Sequence, residues 1–549
     1  MNLSRRNFTK GAMLGVGAAA STGLIAGCSP QAAGDADGAG TAAAASEQQV
    51  PEYPVQRMGS MEPAEETFEG DVVVLGCGPG GIACATRLAE EGARVLVVEK
   101  TANVGGTGMV ASGNCYISLN SRYQVEQGLE ADIPAFYKEW LEAVHYHCDH
   151  EVLSTYLRNC GRVVDWLMGY GFGFNMKETP ATNGLSGNAY RISQPPKDSG
   201  NREETYGAMI EVGTAAGGAL HTNCTGQELI VNDEGAVVGL RAQCGGSVVD
   251  FMGKAVVLAT GGYGANNDMI KRYAKVPLLG RDPVLNNGEG AQMAWAAGAA
   301  QPWNLGILCV DTLYPIDANY VSYPGGVQSL GNVMQDPAKA RMHVNQLGKR
   351  FHSEDAFCWV PTYGGANGVA YDEPWLFVIA DQAAIDELQA GDETVDEAYL
   401  SSMEDLGVLF KGDTPEELAE AVGWDPGAFA EEFSRYGELC AAGEDPVFFK
   451  DAKYLVPYGD GPYYAVRMAP TPFGTCGDLS VTPRMEVRGT EPGSTVTGLY
   501  AVSTETVGTM HNDYYWALGQ TVGWAHTSGV LAAEEIAGSV LEGEAPLDR

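Results

Sequence analysis

The chain has 549 residues, with 33 Lys and Arg against 70 Asp and Glu and a formal net charge of −37 at pH 7. That length exceeds one hydrophobic core and predicts two or three packed units, interleaved ones included. The acidity excludes a nucleic-acid partner, because phosphate binding needs a positive field that releases counterions. Only 19% of residues are charged, so the composition is globular rather than disordered and points to a large soluble enzyme.

Residues 1–28 read as an export signal and not as a membrane span. "LSRRNFTK" carries the twin arginines Arg5 and Arg6 ahead of the apolar run "GAMLGVGAAASTGLIAG". The run ends in "LIAGC", which resembles a bacterial lipobox and makes Cys28 a candidate for lipidation; the alternative is an ordinary signal with an incidental cysteine. Either way the mature protein is expected outside the cytoplasm, and with a lipid on Cys28 it is anchored to the outer face of the cytoplasmic membrane. Residues 29–67, rich in Ala, Gly, Ser, Glu and Pro, form a flexible linker, and folding starts near Phe68.

The next stretch, "DVVVLGCGPGGIACATRLAEEGARVLVVEK", carries the strongest signal. An apolar strand (Val72 to Leu75) leads into Gly76, Gly78 and Gly81, a helix of small residues follows, and a second apolar strand (Val95 to Val98) ends at Glu99. Gly76 permits the tight turn, Gly78 lets the backbone approach a pyrophosphate, and Gly81 lets the helix pack on the strand. The helix N-terminus then faces the phosphates, and Glu99 is placed for an adenosine ribose. A second glycine-rich loop, "KTANVGGTGMVASGN", follows Glu99 and separates this chain from simple nicotinamide-binding Rossmann domains.

Further on, "HYHCDHE" concentrates His145, His147, Cys148 and His150. These are metal-ligand types, but their spacing matches no ligand template, and Asp149 is better read as the cap of the following amphipathic helix. Twelve cysteines are scattered without a small-scaffold spacing, so no disulfide framework is legible. There is no haem-attachment or iron–sulfur pattern either, so electrons would come from a separate protein. A buried strand in "AVVLATGGYGANNDM" ends at Gly261 and Gly262, and "NNGEGAQMAWAAGAA" follows it.

Together these four motifs resemble the family of FAD-dependent oxidoreductases that includes fumarate reductase and succinate dehydrogenase flavoproteins and the 3-ketosteroid dehydrogenases, over residues 69 to 540. The resemblance implies an α/β fold: a Rossmann-like FAD-binding domain of glutathione-reductase type with an inserted α+β capping domain. The FAD-binding domain would comprise 68–302 and 456–549, with 303–455 as the cap. By position, Gly76, Gly78, Gly81, Gly105, Gly106 and Thr107 would contact the pyrophosphate and ribityl chain. Ser112 and Gly113 would lie near the isoalloxazine, Glu99 would hold the ribose, and Ala259, Thr260 and Gly261 would run along the adenine side.

In the cap, "HVNQLGKRFHSED" reads as a hairpin turning at Leu347 and Gly348 and resembles a family motif. Fumarate-reducing members place a proton-donating arginine four residues after its glutamate; here that position is Cys358. Their carboxylate-clamping histidines and arginine are likewise replaced, by "PFGTCGD" and "HNDYYWALGQ". A dianion needs bidentate cations in a dry site, which argues against fumarate.

The C-terminal spacing is closer to the ketosteroid dehydrogenase branch. There a tyrosine hydroxyl and a glycine N–H grip a ketone, roles that fall by position on Tyr515 and Gly519, with Tyr514 as the alternative register. The proton would pass through Cys358 or Tyr363; equally, Cys358 is a small buried hydrophobe. The expected activity is hydride transfer between flavin N5 and a C=C bond conjugated to a carbonyl in a neutral small molecule. A monocarboxylate held by Arg341 or Arg467 is the alternative, and a non-catalytic flavin carrier is a third reading. A membrane cytochrome or quinol-linked partner would supply electrons.

Overall fold

The structure is a computed structural model, which describes residues 62–110, 115–180, 190–193, 201–273, 286–302, 306–313, 330, 342–355, 375–391, 395–511 and 520–541. Its central element is a six-stranded sheet in the order Glu486–Arg488, Thr495–Ala501, Ala255–Leu258, Val72–Leu75, Val95–Val98, Ala219–His221. All neighbours are parallel except the antiparallel edge pair of Glu486–Arg488 with Thr495–Ala501. Sheets of this kind are covered on both faces, which is why the central strands are unbroken apolar runs. Every residue of Val72–Leu75 and of Ala255–Leu258 is buried.

Two helices made of small residues cover one side. Pro79–Glu90 lies against Gln520–Ser539, and the approach is close because a side chain at Gly529 would strike the backbone oxygen of Gly80. Arg162 ties the assembly to a third helix, His150–Gly169, through a bidentate pair with Glu534 at 2.9 and 2.7 Å. That third helix starts at Asp149, whose carboxylate accepts the N–H groups of Glu151 and Val152 and also meets Arg488 at 2.6 Å. The reading of Asp149 as a cap is the one the structure shows.

A second sheet orders Gly306–Leu313, Tyr463–Cys476, Leu376–Asp381 and Met342–Val344, with Leu409–Gly412 also on the long strand. Helices Gln382–Gly391, Glu397–Asp405, Pro415–Val422 and Pro426–Ala442 belong to this part of the chain, and Asp396, Thr414 and Asp425 cap three of them. The second sheet continues past residue 455 through the long strand. Tyr463–Cys476 pairs along its whole length with strands of the second sheet. Its far end reaches the dinucleotide sheet, where the Thr475 side chain fills the space beside Gly262. Strand partnership over such separations is set by tertiary pairing, which local composition does not report.

A four-stranded sheet (Glu66–Glu69, Ser247–Met252, Val237–Cys244, Cys224–Val231) and a three-stranded one (Cys115–Ser118, Tyr190–Ser193, Asn175–Pro180) complete the strands described. Within the four-stranded sheet Cys224 and Cys244 face each other across neighbouring strands and form a disulfide. The sequence showed no pairing because cross-strand partners are defined by register.

Candidate functional site

Carboxyl ends of the parallel strands converge on one crevice, where an open α/β sheet places its ligand. Leu75 hands over to Gly76, Val98 to Glu99, Leu258 to Ala259, and Ala501 to the turn Ser503–Thr506. The crevice is a cavity of ≈ 720 Å³, within the range of cofactor sites.

Three glycines shape the floor of this crevice. Gly76 adopts φ +103°, and a Cβ there would run into the carbonyl of Ala259. A Cβ on Gly81 would collide with the carbonyl of Gly76, so helix and turn pack in direct backbone contact. Gly78 faces open space and caps Pro79–Glu90 with no side chain of its own, leaving the first N–H groups of that helix for an anion. A second helix N-terminus, that of Gln520–Ser539, brings Thr521, Val522 and Ala525 to the same cavity.

Glu99 is buried beneath the crevice. Its Oε2 accepts the Cys77 N–H at 2.9 Å, and its Oε1 accepts the Thr101 N–H and hydroxyl at 2.8 and 2.9 Å. These bonds orient the carboxylate and leave part of its acceptor capacity for a ribose. Burial, with the Glu99 charge beside it, pushes the Cys77 thiol up to about 12, so this cysteine is inert. The second glycine loop joins the wall through Gly106 and Thr107, and the Thr107 hydroxyl lies 3.4 Å from the Asn286 amide. Gly105 sits directly behind, against Met109.

Of the residues expected from sequence, Gly76, Gly78, Glu99, Gly106, Thr107, Ala259, Thr260 and Gly261 line the cavity, and Gly81 and Gly105 support it. Ser112, Gly113, Cys358, Tyr363, Tyr514, Tyr515 and Gly519 lie outside the described residues. Sequence reasoning passed over Asn286, Glu289, Lys100, Tyr206, Ser503, Thr504 and Thr521, which also line the cavity. A signal for Ser503 was present, since it follows directly on an apolar strand; its φ of +70° is uncommon for a residue with a side chain.

Tyr206 forms an aromatic flank with His526, whose ring centroid stacks 6.0 Å away. The His526 Nδ1 lies 3.0 Å from the Val522 carbonyl and so carries the proton, leaving Nε2 to accept from the Tyr206 hydroxyl at 3.2 Å. Burial holds this imidazole down to about 4, hence neutral.

The donor set fits a dinucleotide. Two helix N-termini suit phosphates, Glu99 suits a ribose, and the Thr521 hydroxyl, which lines the cavity, is a buried polar atom without a hydrogen-bond partner among the described residues. The fold and this crevice define a flavoprotein. The profile described as an FAD binding domain matches residues 71–514, and the chain belongs to that family. It is 27% identical over 485 residues to the vinyl phenol reductase of Lactiplantibacillus plantarum, covering 84% of this chain and 94% of that one. It is 26% identical to the digoxin reductase of Eggerthella lenta, covering 96% of each. Among solved structures, the 3-ketosteroid delta1-dehydrogenase of Sterolibacterium denitrificans shares the fold, with a TM-score of 0.70 over 86% of this chain and all of that one, at 19% identity. The protein is an FAD-dependent oxidoreductase of the kind that acts on CH–CH groups.

Proposed function

We propose that this protein is an exported flavoenzyme that transfers a hydride between flavin N5 and a carbon–carbon double bond conjugated to a carbonyl, in a neutral small molecule. When bound, the flavin supplies the hydride chemistry. The chain's own task is to hold the substrate oxygen and handle one proton. The Tyr515 hydroxyl and the Gly519 N–H grip the carbonyl oxygen as neutral donors, stabilising the charge that develops there. Cys358 or Tyr363 exchanges the proton at the α-carbon.

The observation that supports the neutral reading is the engagement of the cations among the described residues, outside which Arg341 lies. Among the described residues, Lys100 is the one cation lining the cavity, and its ammonium lies 3.0 Å from Glu289. Arg467, a candidate carboxylate clamp, stacks its guanidinium over Phe410 at 5.8 Å and lies beside the Gly407 turn. A carboxylate entering a dry site without a cation would forfeit its hydration uncompensated. Similarity to a vinyl phenol reductase supports a substrate without a carboxylate.

Arg5, Arg6 and Cys28 support export by the twin-arginine route and a lipid anchor, with a membrane cytochrome or quinol-linked protein delivering electrons. The test is to reduce the purified protein chemically and follow flavin absorbance on adding a conjugated enone, a cinnamate and fumarate in turn. The enone should reoxidise it fastest; faster reoxidation by either acid overturns the neutral reading. Tyr515→Phe should lower turnover with the enone about 10²–10³-fold, and an unaltered rate would remove Tyr515 from the site.

A further inference from the structure

Behind the Thr260 wall of the crevice, two acids are buried together. Asp478 and Glu505 are both fully buried. The N–H groups of Asp478 and Leu479 donate to the Glu505 backbone oxygen at 2.7 and 2.8 Å, which locks the two segments side by side. Glu505 accepts a hydrogen bond from the Thr260 hydroxyl. Among the described residues its other oxygen, both oxygens of Asp478 and the Thr475 hydroxyl meet no hydrogen-bond partner at full geometry, with the Thr475 hydroxyl lying close beside the Asp478 carboxyl. Neither acid forms an ion pair with a described residue. The surrounding elements are tight: side chains at Gly262 and Gly290 would strike Thr475 and Glu505 respectively, and the Trp295 indole donates to the Asp478 carbonyl at 3.2 Å.

Such a pair is stable only while it holds protons, since two uncompensated carboxylates in one dry pocket repel each other and forgo hydration. Burial, together with the neighbouring Glu505, raises Asp478 well above the ordinary carboxylate range against the opposing Thr475 hydroxyl. Burial raises Glu505 to about 8, with Glu289 adding to the effect against the opposing Thr260 bond. Glu289 is itself engaged by Lys100. Thr260, Ser503 and Thr504 separate the pair from the cavity, and Ser503 packs on Gly80 in the first turn of Pro79–Glu90. Negative charge here would offset the positive potential at that helix end and repel phosphates bound there.

We propose that Asp478 and Glu505 are positioning residues for the cofactor, a proton-holding carboxyl pair that backs the dinucleotide crevice and retains FAD only while it keeps its protons. The inference rests on the assignment of FAD to this crevice. By linkage, FAD affinity falls as pH rises past the point where the pair ionises, by about tenfold per pH unit for each proton that binding requires.

The experiment uses the purified holoprotein. FAD dissociation constants are measured by ultrafiltration and flavin fluorescence between pH 6 and 10, for the native chain, Asp478→Asn, Glu505→Gln and the double variant. The native constant should rise about tenfold or more between pH 8 and 9.5, and the double variant, which cannot ionise there, should stay nearly level. A level native profile, or a double variant with the native slope, overturns the proposal. Should the double variant fail to fold, calorimetry of FAD binding to the native chain at pH 9 in buffers of different ionisation enthalpy decides it: proton uptake of about one per FAD is expected, and none refutes it. Absence of FAD from the native protein at pH 7 would instead refute the cofactor assignment itself.

Discussion

Replacing Arg350 by Met tests whether the capping hairpin is held by a buried ion network. Arg350 lies just after the Asn345–Gly348 turn, and its side chain is 3% exposed. Its Nε and Nη2 reach the two Glu354 oxygens at 2.7 Å each, and Nη2 also reaches Asp445 at 2.8 Å. Lys450, 3.5 Å from Glu354, is the fourth member. The guanidinium also lies over the Tyr436 and Phe448 rings at 5.4 and 5.2 Å. Methionine replaces most of the volume, so the cavity contribution is small and the loss is electrostatic. Two fully buried carboxylates would face one ammonium, and breaking a buried network by removing one partner costs about 3–5 kcal/mol.

The pH dependence carries the sharper signature. Burial works against the Asp445 charge, yet the Arg350 guanidinium and the Phe448 and Val447 N–H groups together hold it below its ordinary 3.8. A carboxyl depressed in this way contributes stability above the ordinary carboxylate range and loses it as pH falls through the folded value. Without Arg350 the largest of these lowering contributions is lost and Asp445 takes up a proton more readily. The penalty of Arg350→Met should therefore be about 4 kcal/mol at pH 7 and clearly smaller at pH 4.5. Urea unfolding at the two pH values, followed by circular dichroism, measures both. A penalty under about 1 kcal/mol at pH 7, or an equal one at the two pH values, refutes the argument.

Gly81→Ala places a Cβ against the Gly76 carbonyl and should cost about 1–3 kcal/mol; purified protein should carry less FAD, and full flavin loading would refute the close-packing role. Replacing both Cys224 and Cys244 by Ser opens a loop closed across 20 residues and should lower stability by about 3 kcal/mol by chain entropy. The same loss should appear in the native chain under a strong reductant, and indifference to reductant would show that the bridge contributes nothing.

The dinucleotide crevice was legible because its determinants are local. Gly76, Gly78 and Gly81 lie within six residues and report turn, approach and helix packing by their lack of side chains, and Glu99 closes the next strand. The Asp149 cap and the turn at Gly348 were legible for the same reason: each is a short-range demand on backbone hydrogen bonds or φ. The strand order of the second sheet was not. Tyr463–Cys476 belongs to the second sheet because of the strands it pairs with, and these lie far off in the chain.

Sequence by itself therefore determined the strand–turn–helix that opens the crevice, since periodicity and glycine spacing act over a single supersecondary unit, and by resemblance of its motifs it pointed to the family and the cofactor. Only the tertiary structure decided which distant segments share a wall. It set Thr495–Ala501 beside Ala255–Leu258, and so brought Ser503 and Thr504 to the crevice and Glu505 onto Thr260. It also set Cys224 opposite Cys244 and Asp478 against Glu505. Such neighbours are created by sheet order and register, and each acquires its chemistry from burial, which no residue possesses on its own.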